Sequence, residues 1–148
     1  MIEKIKKLRA ETGAPLEAIR SALTQSGGDE AKARKLLVTF AKLAQAKKAS
    51  RETRAGLVEA YTHMDRIGVI VEVNCETDFV ARNNEFRTFV HELAMHIAAA
   101  DPSDTSQLLT QPFIKDETMT IADRLVELTG KLGEKIVIAR FHRIELGN

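Results

Sequence analysis

Ile67-Gly68-Val69-Ile70-Val71-Glu72-Val73-Asn74-Cys75 runs without a break into Glu76-Thr77-Asp78-Phe79-Val80-Ala81-Arg82-Asn83, and this junction decides the fold. In the first half, Ile67, Val69, Val71, Val73 and Cys75 alternate with Gly68, Ile70, Glu72 and Asn74, the period-two pattern of a half-buried strand. In the second half, Thr77 is placed to accept the first free amide of a helix as its N-cap, so Asp78 and Phe79 fall on the opening turn. A carboxylate there offsets the positive end of the helix dipole by ~0.3–1 kcal/mol, which is a structural reason for Asp78. Phe79 has a structural reading as a staple onto the sheet and a functional one as a recognition residue. On pattern alone the structural reading leads.

Working outward, Leu57 to His63 predicts a first strand, His63-Met64-Asp65-Arg66 a short hairpin connection, and Ile67 to Cys75 the antiparallel partner. After Asn83, the residues Phe86, Phe89, Val90, Leu93, Ala94 and Ile97 recur at three- and four-residue intervals, which predicts an amphipathic helix to about Ala100, ended by Asp101-Pro102-Ser103. A further helix carries Ile121, Leu125, Leu128 and Leu132, with Thr120 and Asp123 placed for a variant capping box and Gly133 as its stop. Lys135 to Leu146 reads as a last strand with a broken alternation. Ile136, Ile138, Ile144 and Leu146 share one parity, whereas Val137, Ala139 and Phe141 hold the other. Such a strand either bulges or has its second face covered by another layer or subunit.

The first forty residues predict three short helices. Ile2, Ile5 and Leu8 mark the first, which Thr12-Gly13 stops; Pro15 opens a second with Leu16, Ile19 and Leu23; and Asp29 caps a third with Ala33, Leu36, Leu37 and Phe40. From Ala41 to Ala55 the chain turns basic, with Lys42, Lys47, Lys48, Arg51 and Arg54 against the single acid Glu52. A solvated helical linker is favoured over a phosphate-contacting arm, because no aromatic residue interleaves the charges to stack on bases. The expected organisation is a three-helix domain over 1–40, a basic linker over 41–55 and an α+β domain over 56–148. In this α+β fold, helices pack on one face of a three-stranded antiparallel sheet, which leaves the second face free for a partner.

Composition narrows the function. The 148 residues are 44% apolar, enough for a core, and the net charge is only +1, so the global footprint of a phosphate-backbone binder is missing. The single cysteine excludes an intrachain disulfide and an all-cysteine zinc site, and at a strand end Cys75 reads as core rather than nucleophile. There is no apolar stretch of ~18 residues and no apolar leader, so a cytoplasmic setting is expected, with no membrane partner.

The histidines of His91-Glu92-Leu93-Ala94-Met95-His96 are five residues apart, which at ~100° per residue turns the rings ~140° from each other, so they do not share a metal ion. The helix-surface reading is preferred for both. No glycine-rich phosphate loop with its lysine occurs, and no serine or cysteine is organised with a histidine. The chain is therefore expected to be no enzyme, with no catalytic residues, no metal and no cofactor. A nucleic-acid-binding protein, with Lys42 to Arg54 as its arm, is the alternative from another class.

Arg66 to Asn83, followed by Ala94-Met95-His96-Ile97-Ala98-Ala99, closely resembles the translation elongation factor Ts family. Leu8-Arg9 with Thr12-Gly13-Ala14 resembles the family's amino-terminal module, itself similar to a ubiquitin-associated (UBA-like) three-helix domain. Gln111 to Asp116, and Arg140-Phe141 with Glu145-Leu146-Gly147, resemble its carboxy-terminal end. The resemblance implies a nucleotide exchange factor that binds the GDP form of elongation factor Tu and disturbs the magnesium and phosphate site of that GTPase. It carries this role onto Thr77, Asp78, Phe79 and Val80, with Phe79 as wedge, Asp78 as polar contact and Thr77 as cap. It also implies docking on the GTPase by Thr12, Gly13, Ala14, Pro15 and Leu16, although Pro15 and Leu16 replace residues more often glycine or methionine in the family. His63 matches a family histidine that approaches the GTPase, in short members from a second subunit. Only about eight residues join Pro102 to Gln111, where the family usually carries a long helical insertion, and a homodimer through the exposed sheet face is expected to supply the missing half. No direct binding to nucleic acid is expected.

Overall fold

The structure, a computed structural model, describes residues 1–148. It is α+β, with three amino-terminal helices followed by a three-stranded antiparallel sheet against which helices pack. Helices α1 (Ile2–Thr12), α2 (Leu16–Gln25) and α3 (Glu30–Lys47) come first, followed by strands β1 (Ala55–His63) and β2 (Ile67–Cys75). Helices α4 (Asp78–Ala81), α5 (Asn84–Ala100) and α6 (Thr105–Thr110) precede the short strands β3 (Pro112–Phe113) and β4 (Asp116–Thr120), then α7 (Ile121–Leu132) and β5 (Val137–Glu145). Two compact units result, Met1–Ser50 with Val126–Gly133, and Arg51–Leu125 with Glu134–Asn148.

In the helical unit each chain reversal has a local cause. Gly13 ends α1 at φ 64, a left-handed conformation that glycine adopts without a Cβ penalty. Pro15 lies one residue before α2 and its carbonyl accepts from the Ile19 amide at 3.1 Å, while the Asp29 carboxylate caps α3 by accepting from the Lys32 amide at 3.0 Å. Leu8, Ile19, Ala22, Leu23, Ala33 and Leu37 close into one buried cluster, each leucine or isoleucine contributing ~1.5–3 kcal/mol on burial. Helix α3 runs about five turns past its cap to Lys47, so the first half of the basic stretch is helix.

The sheet has the order β1-β2-β5. Val69, Val71, Val73 and Cys75 point inward and are buried, as their alternation requires. Against them lies the apolar stripe of α5, with Phe86, Phe89, Val90, Leu93, Ala94 and Ile97 all buried. The broken parity of the last strand is a bulge. Glu72 pairs with Arg140 but Val73 with Ile138, so Ala139 is the extra residue. Before it Ile136 and Ile138 are buried in the core, and after it Phe141, paired with Val71, is half-buried, while Ile144 swings to the outer face and is exposed. The bulge settles the parity without any covering layer, yet the outer face keeps exposed Val58, Ile70 and Ile144.

The capping box at the start of α7 takes its expected form, with Thr120 and Asp123 exchanging reciprocal bonds of 3.0 and 3.1 Å. The structure adds a cap at Asn83, whose side chain accepts from the Glu85 and Phe86 amides. The helix-surface reading holds for His91, which is exposed and meets Glu59 at 3.3 Å, but not for His96, which is fully buried. The cause is the chain after α6. Gln111 Oε1 receives His96 Nε2 at 2.9 Å and the Ile114 amide donates to Nδ1 at 3.3 Å, so the imidazole anchors this segment. Burial lowers the His96 pKa. No helix is long and apolar enough to cross a membrane.

Candidate partner-binding site

The site begins where β2 gives out. Gly56 on β1 pairs with Asn74, and a Cβ there would lie 2.3 Å from the Val73 carbonyl oxygen, so only glycine lets β1 close onto the end of β2. The sheet is therefore intact up to Cys75. Beyond it Thr77 is extended (φ −130°, ψ 156°) and caps α4, its hydroxyl oxygen accepting from the Val80 amide at 3.4 Å. That bond is long, and other contacts fix the residue.

Every polar group of Thr77 has a partner. Its amide donates to Glu134 Oε1 at 3.0 Å, its hydroxyl donates to Glu134 Oε2 at 2.7 Å, and its carbonyl accepts from the Ala81 amide at 3.1 Å and from the Cys75 thiol at 3.2 Å. The Glu76 amide donates to the same Glu134 oxygen at 3.1 Å. In return, Glu76 Oε1 accepts from the Lys135 amide at 2.7 Å and from Arg51 at 3.3 Å. Burial pushes the Cys75 thiol up to about 11, so it acts as a donor and not as a thiolate nucleophile.

Upon this frame, Val80 and Ala81 turn inward while Thr77, Asp78 and Phe79 face solvent. Phe79 is 89% exposed. The staple reading fails, because no part of the sheet covers the ring. A bare phenyl group on a four-residue helix anchored on its other side is a presented group.

The remaining candidates are dispersed. In the helical unit Thr12 donates to the Leu8 carbonyl at 2.6 Å and accepts from the Ala14 amide at 3.2 Å, so the turn Thr12-Gly13-Ala14 is fixed, with Pro15 exposed and Leu16 half-buried. His63 is exposed at the hairpin and shares a 3.0 Å hydrogen bond with Tyr61. It pairs with Ile67, the far end of β2 from Cys75. Eight residue steps of strand separate those ends by about 26 Å, so His63 is a contact apart from Phe79. Arg51 is engaged by Glu76 and Arg54 by Glu52, which removes two charges from a phosphate-binding arm. No group of three or more histidine, cysteine or acidic side chains is placed to hold a metal ion. Glu134 was invisible as a site residue in the sequence, where only the acid directly after the stop glycine Gly133 hinted at it.

The sequence profile described as Elongation factor TS matches residues 76–148, starting within this junction. Elongation factor Ts of Rubrobacter xylanophilus is 40% identical over an alignment covering 98% of each chain. Those of Caldanaerobacter subterraneus and Thermodesulfovibrio yellowstonii are 39% and 36% identical, covering 98% of this chain and 96% and 95% of theirs. The chain belongs to the elongation factor Ts family. The first of these alignments is 191 positions long against 148 residues, so at least 43 positions of that family member have no counterpart here. Within the family this is a short chain, and α6 with its neighbouring turns is all that joins α5 to β3.

Proposed function

We propose that the chain binds the GDP form of elongation factor Tu and promotes GDP release during translation elongation, as a non-enzymatic nucleotide exchange factor in the cytoplasm. The observation that carries this reading is Phe79, exposed on a helical turn whose cap residue has all its polar groups satisfied. The physical logic is linkage. A partner that binds the nucleotide-free GTPase more tightly than the GDP-bound one weakens GDP by the same factor. Phe79 enters the GTPase as an apolar wedge, Asp78 makes the polar contact that disturbs its magnesium site, Thr77 fixes their direction, and Val80 ties the turn to the core. With the magnesium displaced, the GDP phosphates are less neutralised and leave faster. That magnesium belongs to the partner.

Docking is shared with Thr12, Gly13, Ala14, Pro15 and Leu16 of the helical unit and with His63. A second copy of the chain covers the outer sheet face, where Val58, Ile70 and Ile144 are exposed beside the Glu72–Arg140 ion pair, and the His63 contact comes from that copy.

Stopped-flow release of fluorescent GDP from elongation factor Tu tests the activity, with acceleration by the intact chain expected. An unchanged release rate overturns it. Sedimentation at micromolar concentration tests the pairing, and a 16.4 kDa monomer alone overturns that part.

A further inference from the structure

We propose that Glu134, from the turn between α7 and β5, is a positioning residue for the Phe79 wedge. The inference rests on the exchange reading above and assigns the wedge's alignment to a residue 55 positions away in sequence.

Glu134 is half-buried, and its two carboxylate oxygens take three bonds from two consecutive residues, the amides of Glu76 and Thr77 and the Thr77 hydroxyl. The hydroxyl bond, at 2.7 Å, has the length of a charge-assisted one. It also fixes a rotor. With its hydrogen committed to Glu134, the Thr77 oxygen turns a lone pair toward the Val80 amide, the capping contact that at 3.4 Å is too weak to orient the hydroxyl alone. Asp78 and Phe79 lie between the two residues so joined.

The clamp is reciprocal. While Glu134 holds the amides of Glu76 and Thr77, Glu76 holds the amide of Lys135, and Lys135 Nζ donates to the Arg51 carbonyl at 3.2 Å. The two loop segments thus grip each other through adjacent acids, and neither shifts without breaking bonds in both directions. Glu134 itself makes no part of the exposed wedge. Its effect on a partner passes through Thr77.

The test is a double-mutant cycle on the full chain, read by stopped-flow release of fluorescent GDP from elongation factor Tu over a range of factor concentrations. Glu134→Ala is expected to lower the saturating exchange rate about tenfold while moving the half-saturating concentration less than about twofold, since docking elsewhere is untouched. In the Phe79→Ala background the same substitution is expected to cost less than about twofold, because the group it aligns is gone. Glu134→Gln keeps an oxygen for the two amides but places an NH₂ where the Thr77 hydroxyl donated. It is expected to exchange at an intermediate rate with an unchanged melting temperature, which keeps the test valid should Glu134→Ala destabilise the chain. Equal losses from Glu134→Ala in both backgrounds, or wild-type exchange by both Glu134 variants, overturn the proposal. If instead Phe79→Ala exchanges normally, the wedge reading itself has failed, a result separable from failure of the clamp.

Discussion

The two ends of strand β2 each present an exposed apolar side chain on a reversing backbone, and they are held in opposite ways. At one end Phe79 is 89% exposed on a helical turn whose preceding residue, through ordinary dihedrals, has every polar group bonded. At the other Met64 is 79% exposed in a hairpin turn where Met64 and Asp65 both take positive φ, 52° and 58°. That conformation costs non-glycine residues roughly 1–2 kcal/mol each, somewhat less for aspartate. The turn is closed by one backbone bond, from the Arg66 amide to the His63 carbonyl at 3.0 Å. Exposure alone therefore does not mark a recognition residue. An aromatic ring on a backbone fixed from several directions loses little freedom on binding, whereas a strained tip with one closing bond offers no such advantage.

The largest expected effect separates these ends directly. As a buried anchor in the complex, Phe79 should contribute at least ~2 kcal/mol, so Phe79→Ala should slow exchange on elongation factor Tu about 30-fold or more. Its melting temperature should stay within about 1 °C of the parent, since the residue is almost wholly exposed in the free chain. Met64→Ala should change exchange by less than about threefold. Equal losses from the two substitutions would erase the distinction between presented and merely exposed.

A pH series sharpens the comparison, because His96, the histidine whose pKa burial shifts, lies at neither end. Burial lowers the His96 pKa, so the unfolded chain takes up a proton that the folded one resists. Stability is therefore full above the ordinary histidine pKa of about 6.5 and is lost as pH falls below it. The midpoint of urea unfolding should drop between pH 7.5 and 5.5, and His96→Gln should flatten that drop. The same variant should lower the plateau by ~1–3 kcal/mol, since the Ile114 amide loses its acceptor. Throughout this range Cys75 stays a thiol and keeps its bond to Thr77. The ratio of parent to Phe79→Ala exchange should accordingly hold steady from pH 7.5 to 6, and a shifting ratio would place a titrating group within the wedge.

Periodicity carried the fold a long way, and the reasons it stopped are physical. The strand Ile67–Cys75, the helix Asn84–Ala100 and the Thr120–Asp123 capping box were legible because each depends on residues a few positions apart. Helix α6 and the β3–β4 pair were not, being too short to show a period. His96 was misread because its burial comes from Gln111 and Ile114, beyond its own helix. The cap and the opening turn at Thr77 and Asp78 could be read locally, but whether Phe79 packed or projected could not, since that depends on what the sheet leaves uncovered. Glu134 was out of reach for the same reason, its partners being 57 and 58 residues away.

The smallest expected effect is at the hairpin. Within this three-residue connection the turn His63–Arg66 takes positive φ at both central positions, which asparagine followed by glycine meets at least cost. Replacing Met64 by Asn and Asp65 by Gly together should relieve the left-handed strain, while the added glycine gives back ~0.5–1 kcal/mol through the freedom of the unfolded chain. The net gain should be near ~1 kcal/mol, a rise of about 2–4 °C in melting temperature for a chain of this size. Exchange should remain within about twofold of the parent if the neighbouring His63 keeps its place against Tyr61. A fall in melting temperature would mean that Met64 holds the tip together through contacts its exposure conceals. A large loss of exchange with the stability gained would make the strained tip a second recognition element, and the two ends of β2 would then differ in how they are held but not in what they are for.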